Sequence, residues 1–147
     1  MIKKTAIAIV LIVVFILSGC ASVPMAPTEQ DIAAKEFTKP TGDMAGLYVF
    51  RDTFVGQALK KTVSLDGTVI GETANKVFFY REITPGGHTL STESEFSDNL
   101  INFQAEKENN YFAEQYIKIG VFVGGANVRM VSEEDGKKGV LGCHLAK

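Results

Sequence analysis

Tryptophan is absent from these 147 residues, and cysteine, histidine and proline are scarce at two, two and four copies. Two cysteines exclude a disulfide-scaffolded miniature fold. A zinc centre needs three or four converging ligands with cysteine or histidine dominating, and two histidines leave little to build one from. No strong excess of one charge exists either: 15 basic against 17 acidic side chains disfavours nucleic acid as a partner through general electrostatics. There is no G-x-S-x-G elbow, no paired carboxylates at a telling spacing and no nucleotide fingerprint.

What is present begins with an apolar block. MIKK supplies two lysines, and Thr5 to Val23 then runs for nineteen residues without a charge. At about 1.5 Å per residue such a run nearly crosses a hydrocarbon core of about 30 Å, so an anchor helix ended by Pro24 is one reading. A basic start followed by an apolar stretch and small residues is also the layout of a secretory signal. The position of Cys20 favours the second. Leu17-Ser18-Gly19-Cys20 resembles the bacterial lipobox. That resemblance implies a diacylglycerol on the Cys20 thiol, cleavage between Gly19 and Cys20, and an N-acyl chain on the new amino group. A thiolate is the nucleophile such chemistry requires. Two or three chains anchor a protein stably where one does not. By the sorting rule that comes with the resemblance, Ala21 after the cysteine implies the outer membrane, with the protein facing the periplasm. No other cofactor is expected. Removing residues 1–19 takes Lys3 and Lys4 with it, so the 15 basic side chains fall to 13 against 17 acidic, a balance of −4.

Three of the four prolines lie in Ala21 to Asp43, which reads as a lipidated tether over residues 20–43. About twenty flexible residues span roughly 25 Å, enough to lift a domain off a bilayer. Within it a short helix is expected, with Thr28 as cap and an apolar strip through Ile32, Ala33 and Phe37.

From residue 44 to 147 the period changes to two. GLYVFR, KKTVSLDG, TVIGE, KVFFYREI, HTLSTES, LINFQAE, YFAEQYIKI, ANVRMVS and KKGVLG are short, rich in Val, Ile, Phe, Tyr and Thr, and separated by turn signals. Asp66-Gly67 is the strongest hairpin signal. Pro85-Gly86-Gly87, Glu108-Asn109-Asn110 and Asp135-Gly136 mark further reversals. Val63 and Leu65 oppose Thr62 and Ser64; Ile101, Phe103 and Ala105 oppose Asn102 and Gln104. The expected fold is an all-β antiparallel sandwich of seven to nine strands, of immunoglobulin-like size.

VSLDGTVIG followed by ITPGGHTL resembles the PEGA-type β-sandwich module. DIAAKEF, GLYVFR, the DG hairpin, FFYREITPGGHTL and NYFAEQY, in that order, are similar to a group of small bacterial envelope lipoproteins carrying a domain of unknown function. This resemblance spans Asp31 to about Val131. It implies lipobox, tether and sandwich, and no established activity.

Several constellations invite chemistry. Cys143-His144 are sequence neighbours, and on an extended segment their side chains point to opposite faces, against a thiol–imidazole pair. With Cys20 lipidated, Cys143 is left over: burial on one side of a last strand with Gly139 and Leu141 is expected, an intermolecular bridge being the alternative. GVFVGGA at 120–126 lacks the Lys-[Ser/Thr] and following helix of a phosphate loop; Val121, Phe122 and Val123 form a docking patch if exposed. EEDG at 133–136 is expected to be a solvated turn rather than a calcium loop. Alternation sends Phe78 and Phe79 to opposite faces, so one aromatic row lies outside the main core, where Phe78 or Tyr80 could stack on a sugar ring.

Two functions of different class follow. The first is a non-catalytic outer-membrane lipoprotein binding a protein or glycan of the envelope, with Phe78, Tyr80 and Phe122 as candidate contacts. The second is an envelope-polymer hydrolase using His88, Glu95 or Asp98. A further alternative is an interaction module that assembles through Cys143 or the 120–126 loop.

Overall fold

The computed structural model describes residues 21–120 and 124–147. Residues 1–19, expected to be a signal peptide, and Cys20 and Phe122 lie outside the described residues. Among the described residues nine strands form two sheets: β1 (Ala45–Arg51), β2 (Lys61–Leu65), β3 (Thr68–Thr73), β4 (Val77–Ile83), β5 (Gly86–Thr92), β6 (Asn99–Ala105), β7 (Asn110–Lys118), β8 (Gly125–Val131) and β9 (His144–Leu145). Their order is β8-β7-β1-β4-β9 in one sheet and β3-β2-β5-β6 in the other. The expected β-sandwich is therefore present. Pairing is not antiparallel throughout, because β1 runs parallel to β7 and β4 parallel to β9.

Turn chemistry lies where the sequence puts it for three of the four reversals. Asp66 and Gly67 both take positive φ, 50° and 79°, as the tight turn between β2 and β3 demands. The Pro85-Gly86 corner carries the chain from the five-stranded sheet to the four-stranded one, and the 106–109 turn carries it back.

Between the sheets lies a core of Leu47, Val49, Val63, Leu90, Ala113 and Val128 with their neighbours. One polar network crosses it. Gln115 on β7 donates from Nε2 to Thr92 Oγ1 at 2.6 Å, while its Oε1 meets Thr73 Oγ1. Thr92 passes its own proton to Thr62 O at 2.8 Å, so every buried donor in this bridge is used.

The outer face of the five-stranded sheet is the larger surprise. Phe50, Phe78 and Phe112 join Tyr48 there, and they are buried beneath two helices, α1 (Thr28–Ala34) and α2 (Glu133–Leu141). The second helix corrects the sequence reading of KKGVLG as a strand and of Asp135-Gly136 as a turn. Ser132 caps it, accepting from Asp135 N at 3.1 Å, and Glu133, Glu134 and Asp135 fill its first turn, where the helix dipole favours acids. Gly136 and Gly139 are required by contact: a Cβ at either would stand 2.2 Å from Phe112 or Phe50.

The short helix expected within the 20–43 segment is present as α1, but the described part of the segment is not a free tether. Its residues lie on the domain instead of trailing from it. Ala21 N donates to Gln57 O at 3.2 Å, Val23 is buried, and Met25 bridges Ala146. Thr28 is not the helix cap; Pro27 occupies that position without a side-chain bond. Asp31 Oδ1 instead accepts from Leu145 N at 2.7 Å, tying α1 to β9. Ile32 points to water at 59% exposure, and Ala34 and Phe37 do the packing.

Candidate functional site

Alternation along β4 puts Phe78 and Tyr80 on the outer face of the five-stranded sheet, flanking Tyr48 on β1. Their fates diverge. Phe78 is fully buried, which removes it as a stacking surface. Tyr80 lies half-buried at the margin of α1, its ring centroid 4.7 Å from that of Tyr48. Tyr48 is closed off by its neighbours: it stacks on Phe112 at 5.0 Å and donates its hydroxyl to Ala34 O at 3.0 Å. Burial raises the pKa of both phenols, with Tyr80 adding to the shift at Tyr48 and Glu82 at Tyr80, so each is a neutral hydroxyl.

Where α1, β4 and the C-terminal residues leave a gap, a groove of about 460 Å³ opens. Ala33, Ala34, Tyr48 and Leu145 line its apolar part, and Gln30, Thr38, Arg81 and Lys147 supply polar edges. Arg81 is fixed: its Nη1 donates to Tyr80 O at 2.8 Å, its Nη2 to Ile70 O at 3.0 Å, and its guanidinium lies 5.6 Å from the Phe79 ring centroid. An apolar floor with one aromatic edge and a rim of amide, hydroxyl and cationic groups suits a ligand with both hydroxyl-bearing and apolar faces.

A second, polar cleft of about 660 Å³ runs beside α2. Its carboxylates are all engaged. Glu114 Oε2 accepts from Arg129 Nε and Nη2 at 2.8 and 2.6 Å, Asp135 accepts from Ser132 Oγ at 2.9 Å, and Asp52 pairs with Lys76.

Residues 41–126 match the family described as "Protein of unknown function (DUF2846)". An uncharacterized protein of Haemophilus influenzae is 51% identical over 134 residues, covering 91% of this chain and 80% of that protein. The chain belongs to the DUF2846 family. No solved structure matches it. The DUF2846 segment supplies Tyr48, Tyr80 and Arg81 to the groove, whereas α1 and the C-terminal residues that complete it lie outside the matched range.

The other sequence candidates fall into place around this frame. His88 does not meet Glu95 or Asp98. It sits at the β4–β5 end of β5, while the other two follow the far end of that strand, and four residues of strand rise separate His88 from Thr92 by about 13 Å. Both its ring nitrogens face acceptors, Nδ1 against Asp66 Oδ2 at 2.6 Å and Nε2 against Thr84 O at 2.7 Å. Only the doubly protonated ring satisfies both. Burial alone lowers the pKa of His88, but the bonds to Asp66 and Thr84 and the Asp66 charge outweigh it and raise the value. Asp66 is held below its ordinary value by the Thr89 N–H first and by His88 second. The pair is a clasp on the DG turn with no free lone pair for base catalysis.

Cys143 is buried completely, as expected, but in the turn after α2 instead of on a strand with Gly139 and Leu141. Its Sγ donates to Arg51 O at 3.5 Å, and burial, followed by the Asp52 charge, pushes its pKa up to about 12. Neither an exchange-active thiol nor an intermolecular bridge fits that position. His144 is exposed, with Nδ1 3.8 Å from Asp31 Oδ2. Among the described residues no three His, Cys, Asp or Glu side chains converge as metal ligands.

What sequence reasoning missed is the groove's other wall. Gln30 and Lys147 sit in segments read as tether and strand end, with no periodic signal to place them against Tyr80.

Proposed function

We propose that this DUF2846 protein is a non-catalytic envelope lipoprotein, acylated on Cys20, held in the outer membrane and facing the periplasm. It binds a glycan or protein of the envelope in the groove beside Tyr80. The observation that carries the anchor is LSGC at 17–20 behind a basic start and an uncharged stretch. The binding reading rests on the groove: an apolar floor, a neutral phenol at its edge and polar groups at its rim. Tyr48 and Arg81 are committed to structural bonds and no carboxylate side chain among the described residues lines the groove, which favours binding over hydrolysis. The likeness of the DG and PGxH hairpins to PEGA modules agrees with such a role.

Mass spectrometry of the mature N-terminus tests the anchor. A diacylglyceryl, N-acylated Cys20 is expected, together with loss of outer-membrane fractionation in Cys20→Ala. An intact Met1 refutes it. For the groove, a photoreactive residue at Gln30 should crosslink an envelope glycan or protein in cells, and Tyr80→Ala should abolish that adduct. Crosslinking that persists unchanged in Tyr80→Ala removes the groove reading.

A further inference from the structure

Strand directions give the sandwich two ends. β1 finishes at Arg51, β7 at Lys118 and β5 at Thr92, while β2 begins at Lys61 and β8 at Gly125. The loops after Arg51, Thr92 and Lys118 therefore share one end. Contacts join them: Gly56 touches Ile117, Gly124 touches Leu59, and Gly125 touches Ser94. The opposite end carries the Asp66-Gly67 and 106–109 turns. Along β7 the two ends are about 27 Å apart, eight residue steps at 3.4 Å.

The first end is where the apolar surface is concentrated. Ile119 is 94% exposed, Phe54 78% and Phe96 77%, the three most exposed large hydrophobic side chains among the described residues, and Val55 beside Phe54 is 51% exposed. The loop that displays Phe54 and Val55 is held from beneath. Buried Arg51 donates from Nη1 to Leu59 O at 2.8 Å and from Nη2 to Gly56 O. Val55 and Ile119 line one shallow depression. At the other end the 106–109 turn offers Glu106, Lys107 and Glu108.

The chain enters at this same end. Ala21 N–H bonds Gln57 O, in the loop that displays Phe54 and Val55. Ala21 directly follows Cys20 in the sequence, so in the reading above the lipid-bearing residue is the covalent neighbour of one held on this surface. A 25 Å tether is not available to lift it away.

We propose that the Phe54–Val55–Phe96–Ile119 end of the sandwich seats on the bilayer itself, with these side chains in the headgroup–acyl boundary and the 106–109 turn pointing away. This rests on Cys20 being acylated. The lipid supplies the attachment; the four side chains set the orientation, since one anchored point leaves a body free to tumble and a second apolar contact does not. Lys60, Lys61 and Lys118 flank the patch together with Asp52, Glu93, Glu95 and Asp98, a mixed set with no cationic excess, so the contact is apolar in character and insensitive to salt.

The lack of tryptophan makes the test direct, because each introduced Trp is a unique probe. Phe54→Trp, Ile119→Trp and Lys107→Trp are made in the full chain in a host that processes lipoproteins. Each is purified, its N-terminus checked by mass spectrometry, and reconstituted into phosphatidylethanolamine–phosphatidylglycerol vesicles with or without brominated acyl chains. Expected is a blue-shifted emission quenched by bromolipid at positions 54 and 119, unchanged in high salt, with a red, unquenched emission at 107. Phe96→Trp replaces either patch variant that fails to fold. An acylated protein with red, unquenched emission at all positions overturns the proposal and leaves the anchor standing. An unacylated Cys20 overturns both. A blue shift that grows with protein density and ignores bromolipid assigns the patch to a second copy of the chain, and also overturns it.

Discussion

The two sheets of this sandwich share one core and differ in what they do with their other faces. On the four-stranded sheet the outer face carries Thr62, Ser64, Thr89, Ser91, Asn102 and Gln104, with only Val69 and Leu100 as large apolar side chains among them. Its polar groups meet water or one another, as Thr89 Oγ1 meets Asn102 Oδ1 at 2.7 Å. The five-stranded sheet carries Tyr48, Phe50, Phe78 and Phe112 outward, and every residue of β1 is buried. The difference teaches that the helices are not ornaments on an all-β body. They close a second core, and residues 21–43 and 133–147 pack on the domain because that aromatic face cannot be left in water.

The largest way to break the contrast is at its centre. Phe78→Ala should cost about 3–5 kcal/mol in chemical denaturation, as a fully buried aromatic does. Next is Gly139→Val, whose side chain must enter the Phe50 ring; about 1–3 kcal/mol is expected, with α2 loosened. Cys143 reports the same event, resisting a thiol reagent in the native protein and reacting readily in Gly139→Val.

A smaller effect follows at α1. Asp31 has its pKa lowered: burial alone would raise it, but the Lys35 and Leu145 bonds and nearby charge prevail. A depressed carboxylate contributes stability that is present above its unfolded value near 3.9 and lost as pH falls through the folded value. Asp31→Ala should cost about 1.5 kcal/mol at pH 7 and flatten the acid limb of a stability profile. On the other sheet the sign reverses. The raised pKa of His88 means its contribution is fully present below about 6.5 and lost as pH rises through the folded value. His88→Gln should remove that alkaline decline, read from denaturation midpoints across pH. Thr89→Ala on the wetted face should stay within about 0.5 kcal/mol, the smallest change of the set.

Much of the β framework was legible. Alternation sorted Val63 and Leu65 from Thr62 and Ser64, and Ile101, Phe103 and Ala105 from Asn102 and Gln104, and the structure keeps both sortings. The DG turn is where two positive φ values were needed. The second helix was not legible, because Gly136 and Gly139 each cost about 1 kcal/mol of helix propensity and read as turn residues. Their purpose, making room for Phe112 and Phe50, exists only once the sheet is beneath them. The groove was half legible: alternation put Tyr80 outward, but Phe78 on the same face is covered by chain that arrives from both ends of the sequence.

Local pattern by itself determined strands β1 to β8, the hairpin and the lipobox-like LSGC, since each depends on residues that are neighbours along the chain. Tertiary structure alone decided that the proline-rich segment docks, that Cys143 is sealed in a turn behind a helix, and that the apolar loops gather at the end that holds Ala21. Those outcomes depend on strand order and on contacts across dozens of residues, and no short-range period encodes them.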